Sequence, residues 1–356
     1  MSNDFDLFAY AMEQKFGDVH FKVDPKTGLK AIIAIHNTNL GPSLGGCRFK
    51  AYNHYQDAVF DAMRLARGMS LKSALADLPL GGGKAVIIEP SKPYNRIELL
   101  KSFGKFVNEL KGRYITAVDV GTNVADMDII YQNTLYVTCT SAYEGNGPSN
   151  PAALTALGVK QGIKAGLQYY FGSPEVAGRH IAIQGVGSVG YLLAEMLSHE
   201  GAKLTVCDMN QQAVNQCVQQ FGATACSLDE IMQLKCDVLS PCALGAILTE
   251  NSIPLIQAPI IAGAANNQLA TPEDGARLAA RDIIYAPDYV INAGGIIHVA
   301  YQYQGKNYDR IIEKVNDIYH TTLNILNKSK ELKKPTSDVA EQLALEKLCI
   351  EEGALS

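Results

Sequence analysis

The chain has 356 residues, 47% of them hydrophobic and 19% charged, which fits about two globular domains and excludes global disorder. Its formal net charge is −5 with Lys and Arg scattered, so it lacks the basic field that non-specific nucleic-acid binding needs. No apolar run reaches the roughly 18 residues of a membrane span, and Met1-Ser-Asn-Asp-Phe-Asp6 is acidic where a targeting segment would be basic. The expectation is a cytoplasmic protein whose partners include neither membrane nor nucleic acid. The eight cysteines show no CxxC pair and no zinc-type Cys/His spacing, so reduced thiols and no metal are expected.

In chain order, residues 29–36 predict a strand, and Asp57–Leu78 predicts a helix through Phe60, Met63, Ala66 and Met69. Leu80-Gly-Gly-Gly-Lys84 reads as a glycine-rich loop leading into the strand Ala85-Val-Ile-Ile88. A helix over 96–110 precedes a strand over Tyr114–Val118, which stops at Asp119-Val-Gly121. The stretch Ser141–Pro151, dense in Gly, Pro, Ser and Asn, reads as a domain boundary. A helix over 153–170 follows, and then strands at 181–184, 203–207, 236–239, 259–262, 282–285 and 289–291 alternate with helical segments. Such alternation predicts a parallel sheet wound on both faces. The tail, 311–332 and 338–352, reads as two helices divided by Lys334-Pro335.

Gly185-Val186-Gly187-Ser188-Val189-Gly190 follows an apolar strand and opens a helix, and the next strand ends in Asp208, about twenty residues on. This is the context of a dinucleotide fingerprint. Gly185 permits the tight turn, Gly187 lets backbone approach pyrophosphate, Gly190 brings helix against strand, and the helix N-terminus attracts the anion. Asp208 is placed to accept from ribose hydroxyls and to repel a 2′-phosphate. Between Met209 and Leu234 there is no Lys or Arg to bind that phosphate, so NAD is favoured over NADP.

Lys72, Lys84 and Asp119 stand near glycine loops or strand ends. A single lysine is ordinarily a solvated side chain. Lys84 differs in following three glycines and preceding four apolar residues, yet it is no Walker A lysine: Leu78 replaces the first glycine and Ala85 the Ser/Thr. Asp119 suits a helix N-cap and an ionic role equally well.

These segments carry a resemblance. Gly45-Gly-Cys-Arg48, Leu80-Gly-Gly-Gly-Lys84, Gly112-Arg-Tyr-Ile-Thr-Ala117, Pro241-Cys-Ala-Leu-Gly245, Asn267-Gln-Leu269 and Tyr285–Gly295 resemble, in order and along nearly the whole chain, the Glu/Leu/Phe/Val amino-acid dehydrogenase family, above all its leucine-acting members. The resemblance implies an α/β protein of two domains with a cleft between them. One is a mixed α/β substrate and oligomerisation domain, 1–145 joined by the C-terminal helix 333–356. The other is a Rossmann-type doubly wound NAD-binding domain, 146–332. It implies reversible NAD-dependent oxidative deamination of a branched-chain L-amino acid to the 2-oxo acid and ammonia, in a homo-oligomer that is typically an octamer.

Carried over by residue, Lys72 holds the substrate carboxylate, Lys84 is the catalytic lysine and Asp119 exchanges a proton with the substrate nitrogen. Leu44, Gly45, Gly46, Ala117, Ile296 and Val299 match substrate-binding positions. Thr155, Cys242, Ala243 and Asn267 match positions at the cofactor, with Asn267 beside the nicotinamide. Four departures stand out: Val118 where the leucine-acting members have Glu, Asn266 where they have Asp, Ala152-Ala153 in place of Ser-Pro, and Ile296 in place of a pocket valine. They leave the catalytic residues in place and bear on substrate choice and pH optimum. Competing readings are a phenylalanine or other dehydrogenase of the same family, and a non-catalytic NAD sensor, which has no need of Lys72, Lys84 and Asp119 together. A hydroxy-acid dehydrogenase needs a His or Arg at the carbinol, and neither His36, His54 nor His298 sits in a catalytic motif.

Overall fold

Glycine-rich and β-branched segments of the first 143 residues build a mixed five-stranded sheet. The elements are α1 (Leu7–Glu13), β1 (Asp18–Asp24), β2 (Leu29–Asn37), β3 (Ser43–Lys50), α2 (Tyr55–Leu75), β4 (Gly81–Ile88), α3 (Arg96–Glu109), β5 (Tyr114–Val118) and α4 (Val124–Tyr131). The strand order is β1-β2-β4-β3-β5. β1, β2 and β4 run antiparallel to their neighbours in turn, and β3 runs parallel to β4 and β5. Period-two alternation divides the apolar residues between two faces. Ile33, Ile35, Cys47, Ala85, Ile87 and Tyr114 pack with Leu99, Phe103, Val107, Met127 and Ile130 of α3 and α4. Ile32, Ala34 and Val86 pack with Ala58, Ala62, Met63 and Ala66 of α2.

The computed structural model describes residues 6–143, 151–243 and 245–349. The stretch 144–150, on which the expected boundary rests, lies outside them, as do the N-terminal residues 1–5, Leu244 of the Pro241–Gly245 segment and the end of the tail from 350.

The expected loop at 80–84 is not a loop. Gly81–Gly83 are the first residues of β4, where they pair with β2 and β3. Their lack of side chains serves packing rather than turning: a Cβ on Gly81 would fall 1.8 Å from the Asn37 carbonyl oxygen, and one on Gly82 would fall 2.0 Å from the Ser70 nitrogen of α2.

The remaining elements are α5 (Pro151–Phe171), β6 (His180–Gln184), α6 (Ser188–His199), β7 (Lys203–Cys207), α7 (Gln211–Phe221), β8 (Thr224–Ala225), β9 (Val238–Pro241), β10 (Ile260–Ile261), α8 (Glu273–Ala279), β11 (Ile284–Tyr285), α9 (Asp288–Ile291), α10 (Gly294–Tyr303), α11 (Tyr308–Asn316), α12 (Ile318–Leu332) and α13 (Thr336–Lys347). The six strands are all parallel, in the order β11-β10-β9-β6-β7-β8. Counted from β6, this is the doubly wound order 3-2-1-4-5-6. Residues 289–291, expected as a strand, form the single helical turn α9 after Pro287, because three apolar residues are too few for periodicity to separate the two conformations. The first tail helix divides into α11 and α12 at Asp317. Lys333, with φ +53°, ends α12 in the left-handed cap conformation before Pro335.

The chain forms two compact units: residues 1–149 with 299–308 and 344–356, and residues 150–298 with 309–343. The return to the first unit thus begins at Ala344, within α13, rather than at 333, and an additional piece, Val299–Tyr308, belongs with it. All eight cysteines are free thiols. Among the described residues no helix is long and apolar enough to cross a membrane.

Candidate active site

The first unit buries a chain of alternating charges at the ends of β3 and β5. Lys84, on β4, has a side chain only 7% exposed, and its Nζ lies 2.8 Å from Asp119 Oδ2. Arg48, near the end of β3, places Nε 3.0 Å from the same oxygen and Nη1 2.7 Å from Asp61 Oδ2 on α2. Asp61 also accepts from the Tyr52 hydroxyl at 2.7 Å and from Arg64 Nη2 at 3.1 Å. Burial pulls the Lys84 ammonium below the ordinary lysine range, and Asp119 draws it only partway back. For Asp119, burial alone favours the neutral acid, but Lys84 and Arg48 outweigh it and hold the carboxyl below its usual range. The arrangement therefore combines an ionised carboxylate with a lysine whose proton is unusually easy to remove.

Local sequence explains how these groups meet. Asp119-Val-Gly-Thr122 is a β-turn closed by the Thr122 N–H donating to the Asp119 carbonyl at 3.0 Å, with Gly121 at φ +81° in the position that demands it. Asp119 is thus the first residue of a turn and not a helix cap. The cap of α4 is Asn123, which forms a capping box with Asp126. Arg96 ties the turn down by donating to the Gly121 carbonyl at 2.7 Å and pairing with Asp126 at 2.8 Å.

β3 lies between β4 and β5, so side chains of the outer two strands meet over it. Cys47 pairs with Ala85 and with Val118, which sets Gly46 level with Lys84 on one side and Ala117 on the other. A Cβ on Gly46 would fall 2.5 Å from the Val118 carbonyl oxygen and 2.8 Å from Asp119 Cβ, and one on Gly45 would fall 1.7 Å from the Gly83 oxygen. Leu44 and Ala117 are buried on β3 and β5. Lys72 lies in the last turn of α2, half-buried, on the helix that also carries Asp61 and Arg64. Val299, half-buried, stands on α10 one turn beyond Ile296, which is buried in the second unit.

In the second unit the expected cofactor residues gather at the carboxyl ends of the parallel strands. Gly185, at φ +95°, leaves no room for a side chain, since a Cβ would lie 2.6 Å from that of Ala243. A Cβ on Gly190 would lie 1.9 Å from the Gly185 carbonyl oxygen, so α6 packs directly on the turn. Gly187 caps α6 without a side-chain partner, and a Cβ there meets nothing within 4 Å. The exposed N-terminus of α6, with Ser188 and Val189 in its first turn, is thus open for an anion. Asp208 accepts from the Val186 N–H at 2.8 Å through Oδ2 and from the Asn210 N–H at 2.8 Å through Oδ1. Each oxygen keeps a further lone pair for a ribose hydroxyl. This open cradle and fixed carboxylate fit a dinucleotide. Cys242 donates its N–H to the Gln184 carbonyl at 2.7 Å, bringing Cys242 and Ala243 beside the turn.

Asn267, exposed and at φ +53°, is held by its N–H donating to Asp288 Oδ2 at 2.7 Å, while Asp288 Oδ1 accepts from the Tyr285 hydroxyl at 2.7 Å. Asn266 accepts from Asn292 Nδ2 at 2.9 Å, a contact in which its amide oxygen serves as a carboxylate oxygen would. Thr155, on α5, donates to the Pro151 carbonyl at 2.9 Å, and a Cβ on Gly295 would lie 3.2 Å from its Oγ1.

Sequence reasoning missed Asp61, Tyr52, Arg96 and Asp288. The only local signal for the first was the Asp61/Arg64 spacing on one helix face, which is ordinarily a surface ion pair.

Residues 13–136 match the family described as Glu/Leu/Phe/Val dehydrogenase, dimerisation domain, and residues 206–349 match Glutamate/Leucine/Phenylalanine/Valine dehydrogenase. The chain is 47% identical over 344 residues to leucine dehydrogenase of Geobacillus stearothermophilus, covering 96% of this chain and 93% of that one. It is 43% identical to valine dehydrogenase of Streptomyces virginiae, covering 91% of each. Among solved structures, L-tryptophan dehydrogenase from Nostoc punctiforme superposes with a TM-score of 0.87 at 40% identity, over 96% of this chain and 98% of that one.

Proposed function

The chain belongs to the Glu/Leu/Phe/Val dehydrogenase family, and from that premise we propose that it oxidatively deaminates a branched-chain L-amino acid, reversibly and with NAD, to the 2-oxo acid and ammonia. The observation that carries the chemistry is the buried Lys84–Asp119 pair. Deamination passes through an imine, to which water adds, and a carbinolamine, which expels ammonia. Lys84 takes the proton from the attacking water and returns one as the carbinolamine collapses, a role that requires a lysine below its ordinary pKa. Asp119, ionised, exchanges a proton with the substrate nitrogen. Lys72 pairs with the substrate carboxylate. NAD, when bound, accepts the hydride from Cα.

The first unit is read as the amino-acid domain and the second as the NAD domain, where the Gly185–Gly190 turn and the α6 N-terminus hold the pyrophosphate and Asp208 the adenosine ribose. The dimerisation-domain match supports a homo-oligomer, and the family resemblance points to eight copies in the cytoplasm. A second reading, an aromatic substrate, is favoured by the similarity to the Nostoc tryptophan enzyme. The deciding experiment measures NADH formation from valine, isoleucine, leucine, phenylalanine, tryptophan and glutamate. The proposal expects the first three to lead, and no turnover with any of the six sinks it.

A further inference from the structure

Asp119 Oδ2 receives two cations at once, Lys84 Nζ at 2.8 Å and Arg48 Nε at 3.0 Å, while among the described residues Oδ1 receives no hydrogen bond. Arg48 is itself anchored, its Nη1 lying 2.7 Å from Asp61 Oδ2, and that carboxylate is held in turn by the Tyr52 hydroxyl and Arg64. The side chains of Arg48, Asp61 and Asp119 are 19%, 16% and 21% exposed, too sheltered for water to replace these contacts freely. We propose that Arg48 is a positioning residue for the deamination: its guanidinium fork, braced on Asp61, fixes the Asp119 carboxylate so that Oδ1 faces the substrate nitrogen and Oδ2 is shared with Lys84. This inference rests on the function proposed above for Lys84 and Asp119.

Two consequences follow from the geometry. Arg48 competes with Lys84 for one oxygen, so the attraction that Asp119 exerts on the Lys84 proton is divided, and the nearby guanidinium charge opposes that proton directly. Lys84 is thereby favoured in the neutral state that activates water. A planar fork is also needed, since Nε serves Asp119 while Nη1 serves Asp61, and an ammonium reaches only one of the two well. The titratable groups acting on Lys84 are Asp119, Arg48 and Cys47 of β3. Burial pushes the Cys47 thiol far up, so it is uncharged, and the Arg96–Asp126 pair beyond it is internally neutralised.

The test compares wild type with Arg48→Gln and Arg48→Lys. Turnover by the wild-type enzyme is established first, since its absence overturns the proposed function and not the role of Arg48. Two readouts follow: the pH profile of kcat/KM for deamination, and the pH dependence of Lys84 acetylation by acetic anhydride, followed by mass spectrometry without any turnover. In Arg48→Gln the rising limb of the profile and the labelling midpoint both move to higher pH by about half a unit or more, and kcat falls by at least roughly tenfold, with KM for NAD unchanged. Arg48→Lys, which keeps the charge and guards against loss of folding in the first variant, shows a smaller pH shift but still loses at least about fivefold in kcat. A folded Arg48→Gln whose limb and labelling midpoint match the wild type overturns the proposal, as does an Arg48→Lys enzyme with wild-type kcat. Loss of activity with both pH readouts unmoved marks Arg48 as merely structural, which equally overturns it.

Discussion

Lys84 is assigned work that a lysine in water performs badly, because such a lysine holds its proton to about pH 10.4. Its burial lowers that value, while Asp119 works against the change. The sign is fixed: a depressed lysine pKa supplies neutral amine at lower pH, so kcat/KM for deamination is expected to rise with pH along a limb centred below the ordinary lysine range. Lys84→Ala should abolish that limb and reduce kcat/KM by roughly a thousandfold or more. Asp119 keeps Arg48 as a partner in that variant, so the fold should survive and NAD affinity should stay near normal. Near-normal turnover would remove Lys84 from the mechanism. Lys72→Ala should act differently. A sheltered substrate carboxylate left without its cation costs on the order of 3–5 kcal/mol, so KM for the amino acid should climb steeply while kcat changes less. An unchanged KM would show that another group holds the carboxylate. Lys84 was legible in the sequence because three glycines before a charged residue in an apolar run are unusual. Arg48 carried no such mark, since its partners Asp61 and Asp119 lie 13 and 71 residues away and only the packing of α2 and the register of β3 with β5 bring them together.

Strands and turns, rather than single side chains, decide whether that constellation forms. Gly46 is the clearest case: it lies level with Lys84 and Ala117 on the flanking strands, and the space a side chain would need is filled by Val118 and Asp119. Gly46→Ala should push Asp119 out of line and lower kcat at least tenfold, with KM for NAD unaffected, whereas wild-type kcat would mean that the turn yields freely. The doubly wound sheet was legible almost strand by strand, because each βα unit repeats one pattern and Gly185–Gly190 marks the first turn. The five-stranded sheet was less so. β1 and β3 escaped notice, the latter because Gly45-Gly46 dilutes its pattern, and the glycines of β4 passed for a loop because close packing and tight turning call for the same residue. Asp208 makes the second unit testable at this scale. Held by two backbone N–H groups at the end of β7, with no Lys or Arg from 209 to 234, it should give NAD at least about a hundredfold advantage over NADP. Asp208→Ala should erode that advantage, and equal use of both cofactors by the wild type would contradict the assignment.

Substrate choice belongs to the whole molecule, because the positions that the family resemblance assigns to side-chain recognition come from elements far apart in the chain: Leu44 of β3, Ala117 of β5, and Ile296 and Val299 of α10. All four are aliphatic, and all but Val299 are buried, so none offers a charge to a glutamate side chain or a hydrogen bond to a polar one. The discriminating change is Ile296, which adds one methylene where the leucine-acting members have valine. A methylene in such a setting is worth about 1–3 kcal/mol, enough to move the balance from leucine toward valine and isoleucine by roughly 10- to 200-fold. Val118 leaves that balance in place. It packs among the residues of the core shared with α3 and α4, so replacing the family glutamate removes a charge without opening a cavity, and it alters polarity more than size. The expected order of kcat/KM is therefore valine and isoleucine at or above leucine, with phenylalanine and tryptophan well below. Ile296→Val should restore leucine to the lead. A wild-type preference for an aromatic amino acid, or an Ile296→Val enzyme with the same ranking as wild type, would show that side-chain recognition is set elsewhere in the molecule.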